Sequence, residues 1–280
     1  MSVRHGFFSL AVAVLYAGSA GAQTPERVTF AGDGVSLQGW LYASGDKGRR
    51  PAVVAMHGCA GLEDKAGAPS ARHDDWGRRL SAQGYVVLFP DSFASRGLAA
   101  QCKNRERELS PSRERVSDAK AALRFLAARP DVDAKAISLL GWSNGGSTTL
   151  YAVEPKNAPQ DVDFARAIAF YPGCRVPLES GLWKSRIPLL LLIGADDDWT
   201  PAAPCRELID QAKAQGEKVD IVAYRGAYHD FDHPHLPLHV IEGLAFTGSG
   251  SSEAHSGTNP EARADAIKRV EAFLRAAGEP

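Results

Sequence analysis

The sequence predicts an α/β protein with a mostly parallel central sheet of about eight strands and helices on both faces. Short unbroken apolar runs have the length of strands that are buried on both faces, and they occur at residues 51–56, 85–89, 136–140, 165–171 and 187–193. Helix-like stretches separate most of these runs, as expected when parallel strands are joined by helices. A chain of 280 residues is within reach of one large α/β domain, and we find no internal repeat.

The N-terminal segment is typical of a secretory signal peptide. Arg4 precedes an apolar run at residues 7–17, and a small-residue cleavage signal, Ala-Gly-Ala, ends at Ala22. A membrane anchor would need nearer to about 20 apolar residues. We therefore expect a signal peptide at residues 1–22, no membrane anchor, and an exported protein, periplasmic or secreted, that consists of a single domain at residues 23–280.

The remaining elements follow in order along this domain. Two strands, at residues 27–30 and 35–42, are joined by a Gly-Asp-Gly turn that indicates a hairpin. Helical patterns and a last strand complete the alternation, with helices at residues 72–83, 112–128, 202–215 and 260–277, one more helix directly after residue 143, and the strand at residues 219–224. Polar residues 91–115 predict a long surface excursion, and the Gly/Ser-rich residues 246–259 predict a mobile loop.

The four cysteines are expected to form disulfides, because export would bring them into an oxidising compartment. Four cysteines allow three connectivities, and the sequence alone does not choose between them. Cys174 and Cys205 both follow predicted strand ends, about thirty residues apart, so we favour this pair. That choice leaves Cys59 with Cys102. No two cysteines are close enough in sequence for a typical zinc-binding pair.

A serine between glycines is the main candidate for a catalytic residue. Ser143 stands in the segment Gly-Trp-Ser-Asn-Gly-Gly at residues 141–146, directly after an apolar run and before a helical pattern. This Gly-x-Ser-x-Gly spacing is typical of a nucleophile elbow, where a strained strand-to-helix turn exposes the serine hydroxyl and only residues without Cβ tolerate the close approach on either side. The spacing predicts that Ser143 is a nucleophile, with Trp142 beside it as a candidate for substrate contact.

A serine nucleophile needs a base and an orienting acid. After the most apolar strand come three aspartates, of which we favour Asp197 over Asp196 and Asp198 as the acid. The alternative is that this acidic turn only caps the following helix. His229 follows the last strand and completes the chain order Ser, Asp, His, so we expect it to be the base.

Two alternatives for the histidines stay open. His229 could be an ordinary hydrogen-bonded loop histidine. Together with His233, His235 and His239 it could also belong to a metal site, although these residues lack the helical i, i+4 spacing of such sites and prolines interrupt them. We expect no metal.

The negative charge that develops in acyl transfer needs two fixed backbone donors. We expect one to be the amide of Asn144, directly after the nucleophile. The second should come from the loop after the strand at residues 51–56, where we assign the amide of Cys59. The alternative is that His57 and Gly58 only form a tight turn.

These motifs together resemble the dienelactone hydrolase family of the α/β-hydrolase superfamily. The resemblance extends over residues 27–276 and rests on the segments at residues 57–61, 90–93, 141–146, 194–201 and 228–231. It implies the α/β-hydrolase fold, with nucleophile, acid and base at Ser143, Asp197 and His229. Members of the family hold a substrate carboxylate with arginines, which makes Arg96 a candidate for substrate binding; the alternative is that Arg96 is an ordinary charge on a solvated loop. The founding enzymes use cysteine on a cyclic lactone, whereas serine here is more similar to general carboxylesterases.

We therefore predict a serine hydrolase that cleaves small-molecule esters or lactones without a cofactor. The net charge of −1 gives no reason to expect a nucleic-acid partner. Two other functions remain possible on these motifs: a serine peptidase of the same fold, or a binding protein that has lost catalysis. Substrate, acyl chain length and oligomeric state are not predicted.

Overall fold

An eight-stranded sheet forms the centre of the molecule in the computed structural model, which describes residues 24–45 and 48–276. The strand order is β1-β2-β4-β3-β5-β6-β7-β8. The strands of this sheet are β1 (Glu26–Ala31), β2 (Ser36–Tyr42), β3 (Arg50–Met56), β4 (Val86–Asp91), β5 (Val132–Trp142), β6 (Arg166–Phe170), β7 (Leu189–Gly194) and β8 (Val219–Tyr224). Strand β2 runs antiparallel to both of its neighbours, β1 and β4, and all other neighbouring strands in this sheet are parallel, so the predicted mostly parallel sheet is confirmed.

The central strands are apolar because both of their faces are covered. Every residue of β4 and β7 is buried, and so are the last six residues of β5. Strands that are buried on both faces have continuous hydrophobic sequences, and this pattern predicted them. Strand β1 forms one edge of the sheet, and the expected hairpin turn between β1 and β2 is closed by a hydrogen bond from the Gly32 amide to the Val35 carbonyl, 2.8 Å.

Helices pack on both faces of the sheet, as expected. They are α1 (Ala71–Ala82), α2 (Glu114–Ala127), α3 (Asn144–Ala152), α4 (Arg175–Glu179), α5 (Ala202–Ala214) and α6 (Pro260–Arg275). The connections β3–α1–β4 and β4–α2–β5 run in opposite directions across the sheet, so right-handed crossovers place α1 and α2 on opposite faces. Helix α6 lies beside α1, where Arg263 pairs with Asp75 at 2.6 Å.

Two predicted loops are more ordered than expected. The segment predicted as a surface excursion begins inside β4, and its residues Gln101, Leu109 and Arg115 are buried. The Gly/Ser-rich segment contains strand β10 (Glu253–Ser256), which pairs with β9 (His239–Glu242) in a separate two-stranded sheet. Sequence patterns missed both because strands of four residues carry little periodicity and because distant segments supply the apolar partners.

Both favoured disulfides are present. Cys59 is bonded to Cys102, and Cys174 to Cys205. Each bond ties a loop at the carboxyl edge of the sheet to a neighbouring segment. No helix in the described part of the chain is long and apolar enough to cross a membrane. The predicted signal peptide lies outside the described residues.

Candidate active site

Three side chains from three different loops meet at the carboxyl edge of the sheet. His229 Nε2 lies 3.0 Å from Ser143 Oγ, and His229 Nδ1 lies 2.8 Å from an oxygen of Asp197. All three residues are buried, with Ser143 the most accessible at 9 %. The structure thus brings the expected nucleophile, base and acid into one line of hydrogen bonds, as acyl transfer through an activated serine requires.

The backbone at Ser143 is strained in the manner that the glycine spacing predicts. Ser143 has φ 52° and ψ −114° at the turn between β5 and α3. Its amide donates to the Phe170 carbonyl at 2.9 Å. A Cβ at Gly141 would lie 2.2 Å from the Gly145 carbonyl oxygen, and one at Gly145 would lie 2.1 Å from the Met56 oxygen. Because backbone occupies the space of these side chains, only glycine allows the turn to hold the serine hydroxyl at the edge of the sheet.

The acid is fixed by its own loop. One oxygen of Asp197 accepts from the amides of Trp199 and Thr200, at 3.0 and 2.8 Å. The other oxygen faces His229 and also accepts from the Thr200 hydroxyl at 3.1 Å. A carboxylate held by several donors stays in one orientation, which in turn fixes the imidazole. Asp196 is exposed instead and accepts from a distant amide.

The base lies between two aromatic rings. The ring centroid of His229 is 4.5 Å from those of Tyr171 and Trp199. Burial by itself lowers the pKa of His229, but the charge and hydrogen bond of Asp197 outweigh it and raise the pKa above its ordinary value. The imidazole is therefore a stronger base than a free histidine and can hold the proton that it takes from Ser143.

The residues of both expected oxyanion donors lie at the same cavity as the nucleophile: Cys59 and Asn144 line it together with Ser143. Asn144 is the first residue of α3, and the first amides of a helix have no partner within it. A Cβ built on Gly58 would lie 3.6 Å from Ser143 Cβ, so the loop that carries Cys59 passes directly beside the serine. This arrangement is compatible with two amides that converge on a substrate carbonyl.

A cavity of about 450 Å³ opens above Ser143. Its walls come from the loop after β4, the region of α4 and the connection between β9 and β10. Phe246 and Val176 contribute apolar surface at this cavity, and they are 52 % and 64 % exposed. Three arginines also line it, Arg105, Arg107 and Arg175. The volume suits a small molecule with both apolar and anionic parts.

The two expected substrate contacts are found elsewhere. Arg96 makes a two-pronged ion pair with Asp118 at 2.8 and 2.9 Å and is not among the cavity-lining residues. Trp142 is fully buried and donates its indole N–H to Asp232 at 2.8 Å. Both residues were expected at the site because they lie near site motifs in the sequence. Trp142 points away from Ser143 because successive residues of a strand point to opposite faces, and Arg96 is bound by a nearby carboxylate instead of facing the cavity.

Several groups around the site carry no clear signal in the sequence. Arg107 stands in a segment with many charges, and Arg175 lies in a short stretch without a recognisable motif, so no sequence signal distinguishes either one. Thr200 was noticed only as part of the acidic loop, although its hydroxyl contacts both Asp197 and His229. Arg115 was assigned to the edge of a loop, but its side chain is fully buried beside Asn144.

The further histidines of the segment after His229 have local partners. His239 bonds to the Pro237 carbonyl at 2.8 Å, and His233 accepts from the amide of His235 at 3.2 Å. Among residues 24–45 and 48–276, no group of three or more His, Cys, Asp or Glu side chains is arranged to hold a metal ion.

The fold and the strained serine with its histidine and aspartate define the protein as an α/β-hydrolase. It belongs to the dienelactone hydrolase family, whose model matches residues 37–278. A protein of Methylorubrum extorquens, provisionally named carboxymethylenebutenolidase, is 27 % identical over 177 residues. The match covers 59 % of this chain and 60 % of that relative. The chain thus spans less than two thirds of the length of this curated relative.

Solved structures share the fold at low identity. A dienelactone hydrolase-like promiscuous phosphotriesterase from metagenomic libraries is 20 % identical, with a TM-score of 0.67 over 92 % of this chain and 99 % of that one. An esterase of Thermogutta terrifontis with bound propionate is 19 % identical, with a TM-score of 0.63 over 95 % and 98 % of the two chains. An acylaminoacyl peptidase also aligns, with 18 % identity and a TM-score of 0.65, over 90 % of this chain and 41 % of that one.

Proposed function

We propose that the protein is a serine hydrolase that cleaves carboxylic esters or lactones through an acyl-enzyme intermediate. The observation that carries the proposal is the unbroken line of hydrogen bonds from Asp197 through His229 to a strained Ser143 beneath an open cavity. Membership of the dienelactone hydrolase family supports the same chemistry. No cofactor takes part in it.

The reaction begins with proton transfer from Ser143 Oγ to His229 Nε2. The oxygen forms a bond to the substrate carbonyl carbon, and the carbonyl electrons move to its oxygen, which the amides of Cys59 and Asn144 stabilise. Asp197 keeps the imidazole oriented and offsets its positive charge. The alkoxide then leaves with the proton from His229, and the acyl group stays on Ser143. Water, deprotonated by the same histidine, then forms a bond to the acyl carbon. The bond from that carbon to Ser143 Oγ breaks as His229 returns the proton to Oγ, which releases the acid.

The substrate is proposed to carry a negative charge near the scissile bond. Arg107 supports this, because its Nε is buried without a hydrogen-bond partner among the described residues. Its guanidinium lies over the Phe246 ring at 4.6 Å, and burial lowers its pKa. Arg175 lies at the same cavity and donates to the Gly248 carbonyl at 3.0 Å. Neither arginine has a carboxylate partner in the part of the chain that the structure describes, and such cations in a partly apolar cavity favour an anionic ligand.

The protein is proposed to be exported, with residues 23–280 as a single domain after cleavage near Ala22. The signal-peptide pattern motivates this proposal. All four cysteines form disulfides, and this supports export because such bonds persist in oxidising compartments.

A fluorophosphonate probe tests the proposed nucleophile. We expect one covalent adduct on the folded wild-type protein, mapped by peptide mass spectrometry to Ser143. Ser143→Ala should take up no label. Ser81→Ala, a serine on α1 away from the cavity, is the matched control and should react like the wild type. A folded wild-type protein that is never labelled would indicate a binding protein on the hydrolase fold, and a panel of short esters and dipeptide amides separates esterase from peptidase.

A further inference from the structure

A buried arginine joins the three loops that surround the nucleophile. Arg115, in the first turn of α2, is 0 % exposed. Its guanidinium donates to the His57 carbonyl at 2.8 Å, to the Asn144 side-chain oxygen, and to Ser92 Oγ at 3.4 Å. It also lies 5.1 Å from the centre of the Phe93 ring. One side chain therefore contacts the loops after β3, β4 and β5.

The charge of Arg115 has no carboxylate in direct contact. Among the described residues no ion pair within 4.0 Å includes it. Asp118 and Asp91 are the acidic groups that act on it from a distance, but Asp118 is paired with Arg96, and Asp91 accepts from backbone amides. Burial lowers the pKa of Arg115 to about 10, so it stays charged at neutral pH. A buried cation with mainly neutral acceptors is costly and calls for a compensating role.

The acceptors of Arg115 adjoin both proposed oxyanion donors. The His57 carbonyl belongs to the peptide bond just before Gly58, one residue from the amide of Cys59. The Asn144 side chain belongs to the residue whose own amide is the other donor. The two loops touch, since a Cβ at Gly145 would lie 2.6 Å from the His57 oxygen. Arg115 therefore bonds to both segments that carry the two amides.

We propose that Arg115 is a positioning residue that holds the two amides of the oxyanion hole and supplies a positive field beneath them. The inference rests on the proposed acyl-transfer function. Negative charge appears on the substrate oxygen only as the tetrahedral intermediate forms. A fixed buried cation therefore stabilises the transition state more than bound substrate, and its contribution falls on kcat and not on KM.

The test replaces the guanidinium and measures catalysis on p-nitrophenyl acetate. We expect Arg115→Met to lower kcat about 10- to 100-fold with KM within about twofold, since a directly bonding oxyanion donor is worth about 100-fold or more. Phenylboronic acid adds to a serine oxygen as a tetrahedral anion, so its Ki should rise by a similar factor. Arg115→Lys keeps the positive charge and should recover most of the rate.

Folding is checked for each variant by circular dichroism and thermal unfolding. A folded Arg115→Met with unchanged kcat, a loss confined to KM, or equal losses in the Met and Lys variants would overturn the role. If the Met variant does not fold, Asn144→Ala removes the acceptor and keeps the amide. We expect it to lower kcat about tenfold, and an unchanged kcat there would also overturn the role. An inactive wild type refutes the proposed function itself, whereas an active wild type with unaffected variants refutes only the role of Arg115.

Discussion

Three consecutive aspartates follow β7, and the loop gives each of them a different partner. Asp196 accepts from the Gly226 amide at 2.7 Å, and Asp198 pairs with His255 at 2.7 Å. Only Asp197 turns inward to His229. The three side chains are chemically identical, but the backbone points them in different directions. One contacts the imidazole, and the other two bind neighbouring segments. The choice between them depends on the fold and not on the residue type.

Asp197→Asn should lower kcat about 10⁴-fold, as expected when an orienting carboxylate is lost. It should also move the acid limb of the kcat/KM profile to lower pH. The wild-type carboxylate raises the pKa of His229, and the base works only when neutral, so wild-type activity falls as the pH drops through that raised value. Without the charge, burial is the largest remaining influence, and it lowers the pKa.

A pH–rate profile with p-nitrophenyl acetate measures this change. Asp196→Asn is the matched control, because its carboxylate is exposed and bonds to Gly226 instead of the imidazole. It should keep the wild-type profile. An Asp197→Asn enzyme with an unshifted acid limb would contradict the assigned orienting role.

The elements around the cavity are tied together by a flap, defined as residues 243–252 between β9 and β10. The amide of Ala245 donates to the Cys102 carbonyl at 3.0 Å, and the amide of Gly248 donates to the Asp198 carbonyl at 3.2 Å. Arg107 packs on Phe246 of the flap. The disulfide between Cys59 and Cys102 joins the loop after β3 to the segment that carries Arg107. The loop beside Ser143 and the walls of the cavity are therefore linked to one another.

Arg107→Gln should selectively weaken the binding of anionic substrates. We expect KM for a p-nitrophenyl hemisuccinate to rise about tenfold, the loss of roughly one charge-assisted hydrogen bond. KM for neutral p-nitrophenyl acetate should change by less than about twofold. Arg113→Gln is the control, since that side chain is 76 % exposed and does not line the cavity. Equal KM changes for both substrates would contradict the proposed preference for anionic esters.

The sequence predicted those features of the fold and the site that depend on local residue patterns and on chain order. The buried strands are continuous apolar runs. Ser143 stands between glycines because the turn has no room for a Cβ on either side of the serine. The order of Ser143, Asp197 and His229 then predicts their convergence, because the carboxyl ends of parallel strands share one edge. The cysteine pairs could be favoured on the same ground.

The sequence did not predict which partners individual side chains contact. Arg96 and Arg115 stand in one basic stretch, yet one binds Asp118 and the other lies buried beside Asn144. The cavity-facing Arg107 comes from the same stretch. Which arginine meets a carboxylate, a carbonyl or a cavity depends on loop paths and on partners distant in sequence, and neither periodicity nor propensity contains that information.

Rapid-quench mass spectrometry during p-nitrophenyl acetate turnover detects the proposed acyl-enzyme intermediate itself. We predict a burst of p-nitrophenolate that is stoichiometric with enzyme, and one acetyl group on the quenched protein, mapped to Ser143. Ser143→Ala should show neither. Full turnover by folded Ser143→Ala, or an acetyl group that maps to another residue, would contradict the acyl-enzyme account.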